Sequence, residues 1–591
     1  MTYNFMPTTS RASEFTDLID KLSSSNEGLR REILPNGMTV LLKRDASAPV
    51  VSVQIWVGTG AIHEGANLGA GLSHYMEHMI FKGTPTRGPA DITRTIDEAG
   101  GEINAYTSHD RTVFYADLPS RNWKVGVDVL SDAVMHASLP DEEWQREKDV
   151  ILREFAMGED SPPRVHGKLM YETAYRVHPY RVPVIGYEDV FRSMNRDHLE
   201  AFFHEHYVPD NMIVSIVGDI QVPEVLNYLQ DVFKDFKRRA RSPVVLPAEP
   251  AQLSPRLARR TGAYQVSRLH WTYHTVSVDH PDAPALDLLS MILGDGRSSV
   301  LNEALLEKQH LVHSISAWSH TPASAGLFGI SATYSPDKEP EVIAAIREQL
   351  SSLRGKPFSP EQIAKAKRNQ FLSELGGLQT MSGQASGYAA GEYYTGNPRF
   401  AEHYLASLEK VDDAKLHEVL ERYILNGFES IAILSPEIST GAVATASDAS
   451  AFTMSRIVLS NGIPLIVRQD HRLPFVYISV AMKGGLLSET EANNGITQLT
   501  ADLLTRGTSA RTAAEIAETV ESRGASLSGY AGRNSFGMNA SGLRGDRDLL
   551  LSMLAECLTA SIFPEDELQK LKTLQVASLR QQQEQPMFLA Q

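Results

Sequence analysis

Glu98-Ala99-Gly100-Gly101-Glu102-Ile103-Asn104-Ala105-Tyr106 has a counterpart far along the chain in Ser522-Arg523-Gly524-Ala525-Ser526-Leu527-Ser528-Gly529-Tyr530. The pairing extends outward from there. Asn36-Gly37 recurs as Asn461-Gly462, Gly58-Thr59-Gly60 corresponds to Gly484-Gly485 after a strand-like apolar stretch, Gly71 recurs as Gly495, and Gly83-Thr84 as Gly507-Thr508. The offset stays at 424 or 425 residues throughout. A self-similarity of this kind marks one structural module used twice.

The module mixes strand and helix signals. Gly37 to Lys43 and Val50 to Val57 alternate or run apolar, as do Ile463 to Arg468 and Val476 to Met482, and each stretch reads as a strand. Helical periodicity follows at Asp91 to Ala99, Trp123 to Ala137 and Asp141 to Met157. The expected fold is therefore α+β: tandem similar domains, each a mixed or antiparallel sheet covered by helices. Arg238 to Gly262 is basic and proline-bearing, and Pro436 to Ser455 is dominated by Ser, Ala, Thr and Gly, so both read as linkers. The expected plan is an N-terminal extension at 1–27, domains at 28–240, 258–435 and 455–591, and linkers at 241–257 and 436–454.

A chain of 591 residues exceeds what one core usually supports, which agrees with several domains. Its 42% apolar and 22% charged content is that of an ordinary soluble globular protein. The formal charge of −16 argues against nucleic acid as a partner, because phosphate contacts need a dense basic face. The single cysteine, Cys557, excludes a disulfide framework and a cysteine-based metal site. No run reaches the roughly 18 apolar residues of a membrane span. The first 27 residues lack an apolar h-region and carry Glu14, Asp17 and Asp20. The expected location is the cytoplasm, or the periplasm had a signal been removed.

Chemistry is concentrated in His74-Tyr75-Met76-Glu77-His78. Helical positions four apart sit one above the other, so His74, Glu77 and His78 share a face while Tyr75 and Met76 point elsewhere. Two neutral imidazoles offer nitrogen ligands to Zn²⁺, with the carboxylate beside the metal, in the order of the inverted zincins. A surface helix with two solvated histidines would show the same pattern. The repeat weighs against that alternative: His74 falls on Gln498, Glu77 on Ala501 and His78 on Asp502, so the second copy keeps the scaffold glycines and loses all three side chains together.

A catalytic zinc needs a further protein ligand. The acidic stretch Asp141 to Glu154 offers Glu147 and Glu154, two turns apart on one face. Spacing alone leaves that face as either a ligand source or a solvated surface. His204-Glu205-His206 reads as solvated, since positions two apart point in different directions. Gly294-x-Gly296 lacks the third glycine of a dinucleotide site and reads as a helix entry. His109-Asp110 reads as a hairpin tip without a role.

His-x-x-Glu-His followed by Glu about 75 residues later resembles the pitrilysin and insulin-degrading enzyme (insulinase) family of zinc peptidases. The likeness also runs through Leu34 to Met38, Gly60 to Glu64, Phe81 to Thr84, Asn104 to Thr107, Tyr207 to Met212 and Leu293 to Ser299, and so covers the chain from about residue 28. The resemblance implies that His74, His78 and Glu154 bind one Zn²⁺, that Glu77 is the general base, and that Glu147 supports the site from outside. It further implies that Asn104 and Ala105 lie on an edge strand holding extended substrate, an instance of β-strand addition. The implied activity is endoproteolysis of peptides and short unfolded polypeptides within a chamber. The alternatives are a non-catalytic or partner-dependent assembly subunit of the same family and a narrow processing peptidase. Members of this kind normally have four similar domains, the fourth supplying an Arg and Tyr pair near the zinc. Here the third domain is expected to stop short and the fourth to be missing, so that the chain is part of a longer protein or a second chain completes the chamber.

Overall fold

Val50–Val57 is buried at almost every position, too apolar for a strand with one wet face, and in the computed structural model of the protein it lies third from one edge of a six-stranded sheet. The structure describes residues 11–239, 244–437, 454–468, 475–521, 523 and 525–583. By contacts the chain divides into two compact units, Met1–Pro436 with Ala577–Gln591, and Glu437–Val576.

In the first unit, β1 (Arg30–Ile33), β2 (Thr39–Arg44), β3 (Val50–Val57), β4 (Glu102–Thr107), β5 (Thr112–Pro119) and β6 (Met212–Gly218) form a sheet in the order β1-β2-β6-β3-β5-β4. Only β2 and β6 run parallel; the other pairs are antiparallel. One face packs Val51, Val53, Ile55 and Val57 into a core shared with the helices. The opposite face of β3 carries Ser52, Gln54 and Trp56, which an alternation argument would leave in water. They are buried instead under Met381–Thr395, a helix from much later in the chain: Gln54 donates to the Ser382 carbonyl at 3.0 Å and Ser386 donates to Gln54 at 3.1 Å. Helices thus cover both faces of this sheet.

A second sheet contains β7 (Arg256–Gly262), β8 (Ser267–His274), β9 (Ser314–His320), β10 (Leu327–Tyr334) and β11 (Ser430–Pro436) in the order β7-β11-β8-β10-β9. Strand β7 corrects the reading of Arg238 to Gly262 as linker throughout, since its last seven residues pair in parallel with β11. Residues 240–243 of that stretch lie outside the described residues.

The site and the packing around it are positioned by α1 (Arg11–Ser25), α2 (Leu72–Ile80), α3 (Pro89–Glu98), α4 (Trp123–His136), α5 (Asp141–Glu159) and α6 (Pro162–Ala174). Within the segment expected to be an extension, α1 packs Phe15 and Leu22 into the core of the second sheet, and Ser23 and Asn26 each donate to Glu402 at 2.8 Å. Helix α6 leaves the first sheet's region and packs on the second. His166 stacks on His270 of β8, centroids 3.9 Å apart, and pairs with the Ala432 carbonyl at 3.0 Å. With Met381–Thr395 crossing the other way, each sheet borrows a helix from the opposite half.

The second unit repeats the first in miniature. β12 (Met454–Val458) and β13 (Pro464–Arg468) pair as β1 and β2 do, and β14 (Phe475–Lys483), β15 (Ser526–Ala531) and β16 (Ser535–Leu543) form the order β14-β16-β15, matching β3-β5-β4. A strand corresponding to β6 is not among the described residues. Most of the expected linker 436–454, together with Ser522 and Gly524 of the repeat, lies outside the described residues. Gly294 does not open a helix but ends one, Ala283–Gly294, and Gly296 sits in the connection to the next.

Candidate metal centre

The site begins with how α2 is started. Gly71 precedes it at φ 69°, and a Cβ there would lie 2.2 Å from the Ile185 carbonyl oxygen, so no other residue fits without a shift. The first-turn amides of Gly71 and Ser73 donate at 3.0 Å each to the buried carboxylate of Glu64, which supplies the missing N-terminal acceptor and a negative charge at the positive end of the helix. Burial raises the Glu64 pKa to about 7 against the lowering effect of those amides. The second copy keeps this device: Gly495 and Thr497 donate to Glu489 at 2.7 and 2.9 Å.

From that start, Tyr75, Met76, Met79 and Ile80 point into the core, fully buried, and the opposite stripe presents His74, Glu77 and His78. The two imidazoles meet edge to face with centroids 4.7 Å apart. Helix α5 crosses behind them, fastened by Tyr75, whose ring stacks on Trp144 at 4.3 Å and whose hydroxyl donates to the Trp144 carbonyl at 2.5 Å. This contact sets the approach of the two acidic residues of α5. Glu154 places one carboxylate oxygen 3.5 Å from His74 Nε2 and the other 3.7 Å from His78 Nε2. One turned-in atom from each of His74, His78 and Glu154 falls within 4.8 Å of the others, and among the described residues this is the group of three that could hold an ion.

The fit to zinc can be tested on this geometry. Tetrahedral bonds of about 2.0–2.2 Å put ligand atoms about 3.4 Å apart, close to the two distances found. Burial, His78 and Arg164 push the His74 pKa down to about 3, so this ring is neutral and its lone pair is available. Its Nδ1 is buried without a hydrogen-bond partner. His78 is held differently: its Nδ1 lies 3.0 Å from Glu147, whose other oxygen takes Lys82 Nζ at 2.7 Å. Burial acts to lower the His78 pKa, but the Glu147 hydrogen bond and the charges of Glu154, Glu147 and Glu77 outweigh it and raise it. Glu147 responds in the opposite sense, its carboxyl held below the usual range by His78 and Lys82 despite burial. A carboxylate on the far nitrogen fixes the tautomer so that Nε2 faces the ion position. His, His and carboxylate with space beside them form a donor set suited to a catalytic rather than a structural zinc.

Glu77 stands next to the three. Thr107 donates to it at 2.5 Å, and burial raises its pKa over the lowering effect of that bond. Thr107 ends β4, the outermost strand of its sheet, which also carries Asn104 and Ala105. Asn104 is exposed and Ala105 half-buried; the Ala105 amide is taken by the Asn104 side chain at 2.8 Å rather than by β5. Thr107, Glu64, Lys82 and Trp144 were not picked out as site residues from the sequence. Thr107 lies two along from Ala105, on the same side of the strand, and that period was the one available signal.

Two other sequence readings change. His204 is exposed, but His206 is buried, its Nδ1 3.3 Å from the Thr59 hydroxyl, so this histidine is a core residue rather than a solvated one. His109 and Asp110 do form the turn between β4 and β5, yet they are held in place there: His109 pairs with the Val182 carbonyl at 3.1 Å, and Asp110 accepts from Tyr394 at 3.0 Å. In the second unit, Gln498 donates to Asp502 at 3.0 Å across the positions equivalent to His74 and His78. Residues that would face an ion there bond to each other instead.

A scaffold used twice, with a two-histidine, one-carboxylate cluster found among the described residues in the first copy, defines the class. A family model described as insulinase (peptidase family M16) matches residues 39–188 and again 465–590, once in each copy, and one described as the peptidase M16 inactive domain matches 193–370. The chain belongs to the insulinase family, M16. The uncharacterized zinc protease YmxG of Bacillus subtilis is 26% identical over 409 residues, which make up 69% of this chain and 98% of the relative. An uncharacterized zinc protease of Mycobacterium tuberculosis is 28% identical over 409 residues, 69% of this chain and 93% of the relative. Among solved structures, a protease from Helicobacter pylori matches with a TM-score of 0.64 at 23% identity, over 69% of this chain and 99% of that one. A peptidase M16 inactive domain from Pseudomonas fluorescens gives 0.64 at 15% identity, over 70% and 100%. These structural likenesses speak for the fold. No helix among the described residues is long and apolar enough to cross a membrane.

Proposed function

We propose that the chain is a zinc-dependent endopeptidase acting on peptides and short unfolded polypeptides, with the first unit carrying the reaction. The observation that supports this most is the convergence of His74, His78 and Glu154, with Glu77 beside them. His74, His78 and Glu154 hold the metal. Bound there, a zinc ion would supply Lewis-acid activation of a water molecule and of the scissile carbonyl.

The remaining work falls to the protein. Glu77 takes the proton of the attacking water and passes it to the leaving amine; its burial favours the protonated state it must visit between those transfers. Thr107 fixes the carboxylate rotamer by donating to one oxygen, which leaves the other for the water. Glu147 orients His78 and is balanced by Lys82, so it acts by positioning. Main-chain groups of β4 at Asn104 and Ala105 pair with an extended substrate, the Asn104 side chain giving up the Ala105 amide as the peptide arrives. Main-chain pairing of this type reads conformation more than sequence.

The test is zinc analysis together with hydrolysis of a quenched fluorescent peptide, comparing the chain with Glu77→Gln. About one zinc per chain in both proteins, with turnover lower by about 10²–10⁴-fold in the variant, is the expected outcome. Zinc without hydrolysis in the parent chain would favour the partner-dependent reading, and absence of zinc the assembly-subunit reading.

A further inference from the structure

A cavity of about 460 Å³ opens beside the centre, with His74, Glu154 and Thr107 in its lining. Its walls include Phe155, Val165, Tyr171, Val182 and Ile185. Ligand pockets commonly have this volume and combine apolar walls with a few placed polar groups. The charged groups here are mainly cationic: Arg164, Lys168 and Arg181 against Glu154 and Glu159. Both carboxylates are already engaged. Glu154 faces the two histidines, and Glu159 is held by Arg260 at 2.7 Å and by Lys168 at 3.6 Å.

That leaves two guanidinium groups without a carboxylate. Arg164 is exposed, lines the cavity together with His74, and makes no ion pair or hydrogen bond among the described residues. Arg181 donates to the Arg176 carbonyl at 2.9 Å and pairs with no acid among the described residues. An unpaired positive rim is notable in a chain whose net charge is −16, since the bulk of the molecule would repel an acidic peptide that this cavity would attract. A guanidinium presents a planar fork suited to a carboxylate, and pairing gains strength where apolar walls exclude water.

We propose that this cavity is a substrate subsite selecting a carboxylate next to the scissile bond, with Arg164 as its specificity-determining residue and Lys168 and Arg181 in support. The proposal rests on the peptidase reading for the meaning of the subsite. The carboxylate comes from an Asp or Glu side chain or from the free C-terminus of a short peptide.

The test reads binding, so that it stands apart from turnover. Fluorescence anisotropy on the Glu77→Gln chain compares three kinds of labelled peptide built on one neutral sequence: an amidated series with Glu placed in turn at each position, an amidated peptide without Glu, and one without Glu but with a free C-terminus. A preference of about tenfold or more for either carboxylate peptide is expected, falling in high salt and abolished or reversed in Arg164→Glu. Preference for internal Glu assigns the side chain as source; preference for the free terminus assigns the C-terminus. Equal binding of all three kinds of peptide, or a preference that Arg164→Glu leaves unchanged, would overturn the proposal. If Arg164→Glu lowers the unfolding midpoint, Arg164→Gln decides, with loss rather than reversal expected. Failure of zinc binding or hydrolysis in the parent chain would sink the peptidase reading and leave this binding result intact.

Discussion

Glu147 and Glu154 lie seven residues apart on one helix face, yet only Glu154 reaches both imidazoles, while Glu147 stops behind His78 and is neutralised by Lys82. The sequence spacing put both acids on one stripe and could not say which of them would face the ion, because that depends on where α2 crosses α5. The crossing is set by Tyr75 on Trp144, a pair 69 residues apart that no local pattern exposes. His74, Glu77 and His78, by contrast, were legible because i, i+3 and i+4 geometry is local. The indirect role of Glu147 is testable at this scale. Glu147→Gln should weaken zinc binding by about 10–100-fold while keeping hydrolysis at saturating zinc. Competition against a chelator of known affinity measures it, and unchanged affinity would mean His78 needs no such support.

Strands and helices were legible to within a few residues wherever an apolar run or an apolar period marks the element. Val50–Val57 emerged from the structure with the same bounds, and Asp141 to Met157 became Asp141–Glu159. Sequence misleads where an element has no apolar period of its own and is fixed by a partner distant in the chain. Strand β7 looked like linker because its basic, largely exposed residues show no apolar period, and its partner β11 lies 174 residues further on. At the start of α2, Glu64 holds two backbone amides, and the same arrangement recurs at Glu489. Glu64→Ala should cost about 1–3 kcal/mol by leaving buried donors unpaired and should lower zinc affinity by displacing α2. Urea unfolding and zinc titration read the two effects, and an unaltered midpoint would show that solvent replaces the cap. The α6 interface makes a pH prediction. Burial pushes His166 down to about 4 and His270 to about 3, with Arg268 adding to the first and His166 to the second. Both rings are lowered, so below pH about 6.5 the unfolded chain binds protons that the folded chain refuses, and stability rises with pH across that window. The loss on acidification approaches about 1.4 kcal/mol per pH unit for each ring, and His166→Gln/His270→Gln should flatten it in urea midpoints taken from pH 7 to pH 5. An equally steep dependence in the double variant would place the acid lability elsewhere.

Across the whole molecule, the duplication explains both what is kept and what is lost. The second unit retains the helix-start glycine, the capping carboxylate and the Thr508–Glu556 contact that mirrors Thr84–Asp132, all of which serve the fold. It lacks counterparts of the two histidines and Glu77, and Gln498 and Asp502 bond to one another in their place. That contrast is legible in the sequence alone, because scaffold and reactive residues separate cleanly between the copies. The reciprocal exchange of α6 and Met381–Thr395 between sheets is not, since swapped helices carry the same periodicity as local ones. The proposed chemistry requires one zinc ion held in the first copy. Anomalous diffraction at the zinc edge from crystals of the zinc-loaded protein tests this most directly. A single strong peak bonded to His74 Nε2, His78 Nε2 and a Glu154 oxygen is predicted, with no peak at Gln498 and Asp502; a stoichiometric peak at any other set of residues would contradict it.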